Sequence, residues 1–255
     1  MSQPMLKIDG LGISFGGLKA VSGFNLEIPA GGLQGLIGPN GAGKTTVFNL
    51  LSGIYPADTG TFVLDGKPLC ELSPEAICRA GVARTFQNIR VFGHLTVLEN
   101  VLVGLHQRVR YGYVATLLRT RAFVEEEKKM RETATALLER VGLGNRLEWS
   151  ARSLPYGDQR RLEIARALAT QPKVLLLDEP AAGLNTSEKV ALMSLIADIR
   201  RDFKVAVLVI EHDMKLIMGI CEKITVLDHG EVIASGTPKE IQGNPKVIEA
   251  YLGVE

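Results

Sequence analysis

Two stretches hold the residues best suited to chemistry, "GPNGAGKTT" (38–46) and "VLLLDEP" (174–180). The first has the spacing G-x-x-x-x-G-K-[ST], which makes a phosphate-binding loop when it follows a strand and opens a helix. Glycines at 38, 41 and 43 let the segment Gly38, Pro39, Asn40, Gly41, Ala42, Gly43 curl so that its N–H groups converge on phosphate oxygens. The N-terminus of the following helix adds partial positive charge. In such a loop Lys44 neutralises the β- and γ-phosphates, and Thr45, next to Thr46, offers a hydroxyl to Mg²⁺. The competing reading is a plain glycine-rich turn.

The second stretch ends an apolar run in two acids. Asp178 stands where a strand-end carboxylate holds Mg²⁺ through its water shell, and Glu179 where a carboxylate polarises the water attacking a γ-phosphate. Two acids capping the following turn is the bland alternative. His212 closes the next apolar run, "KVAVLVIEH" (204–212). Neighbouring parallel strands deliver their last residues to one crevice, so His212 can meet the γ-phosphate or the attacking water; otherwise it is a helix-start histidine beside Asp213. Gln87, in "ARTFQN", can bind Mg²⁺ or water through its amide, or be a surface polar residue. Phe15, in "ISFGG", can stack on a base, with ordinary strand packing the expectation where nothing else points to a ligand.

These residues need a scaffold. "LQGLIG" (33–38) reads as a buried strand running into the loop, and "KTTVFNLLSG" as a helix closed by Gly53. Short strand-like runs fill residues 5–37, and "TFVLDG" (61–66) is a strand and turn. The runs at 173–179 and 204–212 flank a helix over 187–201, a βαβ pattern with a buried parallel sheet. "ITVLDHGEVIASG" (224–236) reads as a hairpin turning at His229-Gly230. "TPKE" (237–240) is a capping box with Pro at the first helical position, and "NPKVIEAYLG" a short capped helix. Residues 88–170 differ: they are rich in Arg, Glu and Leu, with helical spacing at Ala134, Leu137, Leu138 and Val141. They are expected to form a helical subdomain inserted in the α/β core, with "EEEKKMRE" (125–132) as a solvated helix face.

The 255 residues suffice for one large α/β domain, and 46% apolar composition supplies a core. Twenty-nine basic against 28 acidic side chains give no electrostatic case for nucleic acid. Cys70, Cys78 and Cys221 form no C-x-x-C and are expected to be reduced core thiols. "MSQPMLKIDG" lacks the apolar stretch of an export signal. "VAVLVI" (205–210) is far too short to span a bilayer, so a membrane role would run through a partner.

The ordered set Phe15, loop 38–46, Gln87, "LPYGD" (154–158), Asp178-Glu179, "AGLN" (182–185) and His212 covers essentially the whole chain and resembles the ATP-binding cassette family, the motor subunits of ABC transporters. The resemblance implies an α/β P-loop NTPase core with an antiparallel β subdomain and an inserted helical subdomain, with ATP and Mg²⁺ as cofactors. It implies Glu179, His212 and Gln87 as catalytic residues, Thr45, Gln87 and Asp178 around the metal, and Phe15 and residues 38–46 around the nucleotide. It also gives a role to "LPYGDQ", the stretch without an obvious nucleophile, base or metal set. In the family this signature binds the γ-phosphate of ATP held by the other subunit, so Pro155, Tyr156, Gly157 and Asp158 form half of a site at a helix N-terminus. The sequence departs from L-S-G-G-Q: Pro155 replaces Ser, Tyr156 the first Gly, and Asp158 Gln. Asn185 replaces the usual Asp, and with Glu188 it also makes a helix N-cap pair. The departures point to asymmetry, with a different partner's signature serving the Lys44 site.

"ARTFQNIRVFGHLTVLENVLVG", "YGDQRRLEIARAL", "VIEHDMKLIMGICEKITVLDHG" and "VIEAYLG" look like the ATPases of bacterial branched-chain amino acid importers. That branch implies a second, sister ATPase (or self) in an ATP-sandwich dimer, two membrane permeases, and a periplasmic binding protein, with this chain peripheral on the cytoplasmic face of the inner membrane. A monomer that dimerises weakly with ATP is expected. Urea or amide importers and lipopolysaccharide exporters share much of the pattern. A soluble cassette ATPase and a small-molecule kinase are the readings from other classes. Val91, Phe92 and Leu95 beside Gly93 either dock permease helices or pack the subdomain.

Overall fold

The computed structural model describes residues 3–109 and 116–252. It divides into two compact units, Met1–Gln87 with Lys173–Glu255, and Asn88–Pro172. The expected helical stretch 88–170 includes residues 110–115, and the final helical motif includes Gly253; these lie outside the described residues.

The first unit carries the strands β1 (Leu6–Phe15), β2 (Leu18–Ile28), β3 (Leu33–Ile37), β4 (Thr59–Leu64), β5 (Lys67–Pro68), β6 (Val82–Arg84), β7 (Val174–Asp178), β8 (Ala206–Ile210), β9 (Lys223–Asp228) and β10 (Glu231–Gly236). Among the described residues they form an antiparallel sheet β2-β1-β4-β5 and a sheet β10-β9-β3-β8-β7-β6. In the second sheet the pairs from β9 to β6 are parallel, and β10 adds an antiparallel edge. Strands β3, β7 and β8 are buried along their whole length, which is why they read as unbroken apolar runs. Strand β1 instead alternates, with Leu6 and Ile8 inward and Lys7 and Asp9 outward.

Strands β1 and β2 are longer than the short runs expected from the sequence. Glycines at positive φ, Gly10 (60°) and Gly23 (59°), interrupt the pattern, and the β1–β2 register shifts between Ile8 and Leu11. Such bulges break strict alternation without ending the strand.

One apolar core joins the two sheets. Leu6, Ile8, Phe24 and Phe62 from the antiparallel sheet, Leu36, Leu176, Leu208 and Ile210 from the parallel sheet, and Val47, Phe48, Leu50 and Leu51 from the helix Lys44–Leu51 belong to it. The helix that opens at Lys44 is thus packed between the layers. Gly35 allows a close approach on the other face of β3, where a Cβ would lie 3.2 Å from Ile217 and 3.3 Å from the Cys221 sulfur. The helix Thr186–Phe203 starts with a capping box between Asn185 and Glu188, and Pro238–Gln242 with one between Thr237 and Glu240. The hairpin turns at His229 (φ 44°) and Gly230 (φ 81°), two successive positive values as a two-residue turn favours.

The second unit packs the helices Val97–Leu105, Arg121–Arg140 and Tyr156–Ala169 on one another. Ala134, Leu137, Leu138 and Val141 are buried, as their spacing predicts. Gly104 lets two helices touch: a Cβ there would sit 2.6 Å from the Arg166 carbonyl. Arg160 and Glu163 form a buried ion pair at 2.7 Å. The carboxylate of Glu163 also accepts the Arg90 N–H.

The cysteines depart from the expectation of three core thiols. Only Cys221 is buried, while Cys70 and Cys78 are half-buried. Burial, aided by the charge of Glu222, pushes the Cys221 thiol up to about 12. At pH 8 its thiolate fraction is then about 10⁻⁴, and alkylation requires the thiolate. Iodoacetamide at pH 8 should therefore modify Cys70 and Cys78 in the native protein and Cys221 only after urea unfolding. Native-state labelling of Cys221, read by peptide mass, would contradict this burial.

Candidate nucleotide site

The loop 38–43 leaves β3 with positive φ at Gly38 (154°), Gly41 (81°) and Gly43 (100°). Side chains are excluded at two of these positions. A Cβ on Gly38 would lie 2.0 Å from the Leu227 carbonyl oxygen, and one on Gly43 2.5 Å from that of Ala20. The β9–β10 turn buttresses the loop, with the Gly230 N–H donating to the Ala42 carbonyl at 3.0 Å. Helix Lys44–Leu51 then begins with Gly43 as N-cap and no side-chain cap. Its first amides, which lack intrahelical acceptors, open beside the loop.

Lys44 folds over the loop and donates to the carbonyls of Gly38 and Pro39, both at 2.8 Å. Burial draws its ammonium below the ordinary lysine value, and the negative charges of Glu179 and then Asp178 oppose that shift. A cavity of about 470 Å³ lies over the loop, lined by residues 40–46 together with Leu18, Lys19, Gln87, Glu179, His212 and His229.

Three residues from three chain segments meet at this cavity. Gln87 Nε2 donates to Glu179 Oε2 at 2.9 Å, and His212 Nε2 lies 2.6 Å from Glu179 Oε1. Glu179 itself has φ 47°, a left-handed conformation uncommon outside glycine. Its N–H donates to the Ile210 carbonyl at 2.9 Å. Thr45 and Thr46 face the same space.

Other expected residues stand apart. Asp178 is buried and does not line the cavity; its carboxylate pairs with Arg84 at 2.8 Å. Phe15 is not packed into the sheet as its strand context predicts. It ends β1 just before Gly16 and Gly17 and is 45% exposed, edge-on to Tyr55 at 5.2 Å between centroids. It does not line the cavity, although Leu18 and Lys19 just beyond the turn do. Pro155, Tyr156, Gly157 and Asp158 lie in the second unit. There Pro155 is the N-cap of Tyr156–Ala169, Tyr156 is half-exposed, and Asp158 is held by Arg146.

Two contributors were not foreseen from the sequence. Arg84, from β6, bonds Asn49 Oδ1 at 2.7 Å and Ser52 Oγ at 3.1 Å besides Asp178. Its guanidinium lies over Phe86 at 4.9 Å and Phe48 at 5.6 Å. Glu211 is also buried; its Oε1 accepts the Ala181 N–H at 2.6 Å, and its Oε2 the His212 N–H at 3.3 Å. Burial raises its carboxyl above the usual range, against the lowering effect of those two N–H bonds. An Arg three residues after Gly and three before Gln, and a Glu before His, carried no motif of their own.

Comparison with known proteins identifies the family. Residues 21–182 match the family described as ABC transporter. Residues 231–255 match one described as branched-chain amino acid ATP-binding cassette transporter. The chain is 50% identical over 253 residues, 99% of each chain, to the high-affinity branched-chain amino acid transport ATP-binding protein LivG of Escherichia coli. It is 49% identical, again over 99% of each chain, to BraF of Pseudomonas aeruginosa, which carries the same description. The crystal structure of the ADP conformation of MJ1267, an ATP-binding cassette of an ABC transporter, superposes with a TM-score of 0.86 at 29% identity, covering 99% of this chain and 100% of that one. The chain belongs to the ABC transporter family, as one of its ATP-hydrolysing cassettes.

The Arg84–Asp178 pair makes a testable demand. Removing one partner of a buried ion pair leaves the other uncompensated, at about 3–5 kcal/mol. Arg84→Met should lower the unfolding free energy read from urea titration by an amount in that range, and Asp178→Asn in the same chain should recover most of the loss. Equal midpoints for Arg84→Met and wild type would show the pair to be energetically idle.

Proposed function

We propose that this chain is the ATP-hydrolysing motor subunit of a bacterial branched-chain amino acid importer. The observation that carries the hydrolytic part is the convergence of Gln87, Glu179 and His212 over the loop that holds Lys44. The match of residues 231–255 and the similarity to LivG and BraF support the substrate class.

In this reading the N–H groups of Asn40, Gly41, Gly43, Lys44, Thr45 and Thr46 bind the α-, β- and γ-phosphates, and Lys44 exchanges loop carbonyls for phosphate oxygens. Phe15 supplies an aromatic face for the base from the exposed β1–β2 turn. The donors near the phosphates, the Thr45 hydroxyl and the Gln87 amide oxygen, with Asp178 behind, are all oxygens, a set that fits Mg²⁺. When bound, that ion would neutralise charge on the transferring phosphoryl group. Asp178 would act through water, because Arg84 already takes part of its charge. Glu179 accepts a proton from the attacking water. His212, now bonded to Glu179, turns a ring nitrogen to the γ-phosphate or to that water. Gln87 reports nucleotide occupancy to residues 88–170, which act as the helical subdomain.

The signature Pro155, Tyr156, Gly157 and Asp158 serves an ATP held by a partner. That partner is a second cassette subunit (LivF-like) or a second copy of this chain. Two membrane permeases dock on segment 88–97. There Phe92 is 49% exposed, with Arg166 over its ring at 5.1 Å. Buried Asn100 fixes the segment by bonding both the N–H and the carbonyl of Phe92. A periplasmic binding protein acts indirectly, through the permeases. Among the described residues no helix is long and apolar enough to cross a membrane; the chain sits peripherally on the cytoplasmic face, held there by the permeases.

The test is uptake of labelled leucine in a strain lacking this gene, complemented with wild type or Glu179→Gln. Wild type alone should restore uptake. Glu179→Gln should bind ATP as wild type does and lose at least about a hundredfold in hydrolysis, the usual scale for a general base. Intact leucine uptake in the deletion strain, with urea or amide uptake lost, would move the substrate assignment and leave the ATPase reading standing. Hydrolysis by Glu179→Gln at the wild-type rate would remove Glu179 from the mechanism.

A further inference from the structure

Glu179 and His212 sit on different loops, and their 2.6 Å contact requires both loops to be held in register. The Glu179 backbone is in the left-handed region at φ 47°. Such a residue costs of order 1–3 kcal/mol and persists only where its surroundings over-determine it. Two backbone bonds help: the Glu179 N–H to the Ile210 carbonyl at 2.9 Å, and the Ala182 N–H to the Glu179 carbonyl at 3.1 Å. A further tie is a side chain. Glu211 directs one carboxylate oxygen to the Ala181 N–H at 2.6 Å and the other to the His212 N–H at 3.3 Å.

We infer that Glu211 is a positioning residue for ATP hydrolysis, whose carboxylate clamps the loop after Glu179 to the backbone of His212 and so fixes the Glu179–His212 geometry. The inference rests on the reading of Glu179 as the hydrolytic carboxylate. Glu211 is buried and does not line the nucleotide cavity. It therefore acts through the two residues it aligns rather than on the phosphates. Each end of the carboxylate meets a backbone N–H donor, so both of its oxygens are needed as acceptors. A carboxylate here is chemically specific: Gln keeps one acceptor and turns an NH₂ group toward the other N–H, and Met of similar length offers none. Displacing a catalytic group by about 1 Å costs about a hundredfold in rate, while binding of the substrate elsewhere is untouched.

The experiment compares Glu211→Gln, Glu211→Met and Glu211→Asp in the full-length chain with wild type and Glu179→Gln. Steady-state ATPase, ATP affinity by fluorescent-nucleotide titration and thermal melting are measured for each. Met should lower kcat by at least about thirtyfold and Gln, which loses one of the two acceptors, by about tenfold, with ATP affinity within about twofold of wild type for both. Asp keeps the charge but draws it back by one methylene. It should lose about tenfold in kcat at unchanged affinity, and it decides the matter if the Met variant does not fold. Wild-type kcat in Met or, where Met does not fold, in Asp overturns the inference. So does a loss of ATP affinity that parallels the loss of kcat, since that marks a general structural role. If Glu179→Gln is inactive while the Glu211 variants hydrolyse normally, the inference alone fails. If Glu179→Gln is fully active, the reading of Glu179 fails first and takes the inference with it.

Discussion

The site depends on one constraint, the parallel register of β7 with β8. The strands pair from Val174↔Ala206 to Asp178↔Ile210, and the pairing continues one step further as the Glu179 N–H bonds the Ile210 carbonyl. That last bond occurs where the chain is already turning, at the positive φ of Glu179. Strands in register end together, so Glu179 and the Glu211-His212 pair emerge at one edge. Strand β3, which pairs with β8 on the other side, ends at the same edge and delivers the phosphate loop. Slipping β8 by one residue would turn each of its side chains to the opposite face. It would exchange the core-facing Leu208 and Ile210 for Val207 and Val209 and carry His212 away from Glu179.

Burial at that edge creates an electrostatic problem that the fold solves with cations. Asp178 is enclosed, and Glu179 and Glu211 lie close by. Lys44 and Arg84 approach from two sides: Lys44 is anchored on the loop carbonyls, and Arg84 is anchored on Asn49 and Ser52 of the helix that Lys44 begins. Both cations are therefore tied to the loop 38–43 and the helix it opens. The guanidinium suits its position better than an ammonium would. It can fork between a carboxylate and amide or hydroxyl oxygens while it lies over the rings of Phe48 and Phe86. Binding of a phosphate group near Lys44 adds negative charge to a neighbourhood in which Asp178 is already balanced, so the two acceptors do not compete for the same cation.

Much of this was legible in the sequence, for reasons that differ from residue to residue. The phosphate loop could be read because glycine at fixed intervals is a backbone requirement, and Gly38 and Gly43 tolerate no Cβ. The strand ends carrying Asp178, Glu179 and His212 could be read because fully buried parallel strands appear as apolar runs whose first polar residue marks the edge. The Asn185 and Thr237 caps follow a local rule and formed as written. Phe15 was misjudged in its bare strand context because exposure at a strand end depends on where the strand stops. The full lengths of β1 and β2 were hidden by bulges. Arg84 and Glu211 could not be found at all. Their roles come from contacts such as Arg84 with Asp178, 94 residues apart, and Ala181 with Glu211, 30 apart. No local spacing encodes those.

The signature helix shows how a departure from a family pattern can be structurally settled while its chemistry is altered. Pro155 at the N-cap gives up an N–H that the cap position does not need for the helix, and Asp158 in the first turn is favourably placed against the helix dipole. Arg146 then pairs with Asp158 and lies over Trp149 at 5.2 Å, so the acid is compensated within its own unit. The helix is stable for reasons independent of any ligand. For the anion-receiving role proposed for it, the helix offers no serine hydroxyl and carries a carboxylate, Asp158, in its first turn. The half-site proposed around Lys44 shows no matching departure, since loop residues 40–43, Glu179 and His212 line one cavity. On the proposed reading, a chain with one intact half-site and one diminished half-site would be best matched to a partner whose signature is complete. Pairing with a different cassette would give a full site at Lys44 and a weaker one opposite, whereas pairing with itself would give two equally weakened sites.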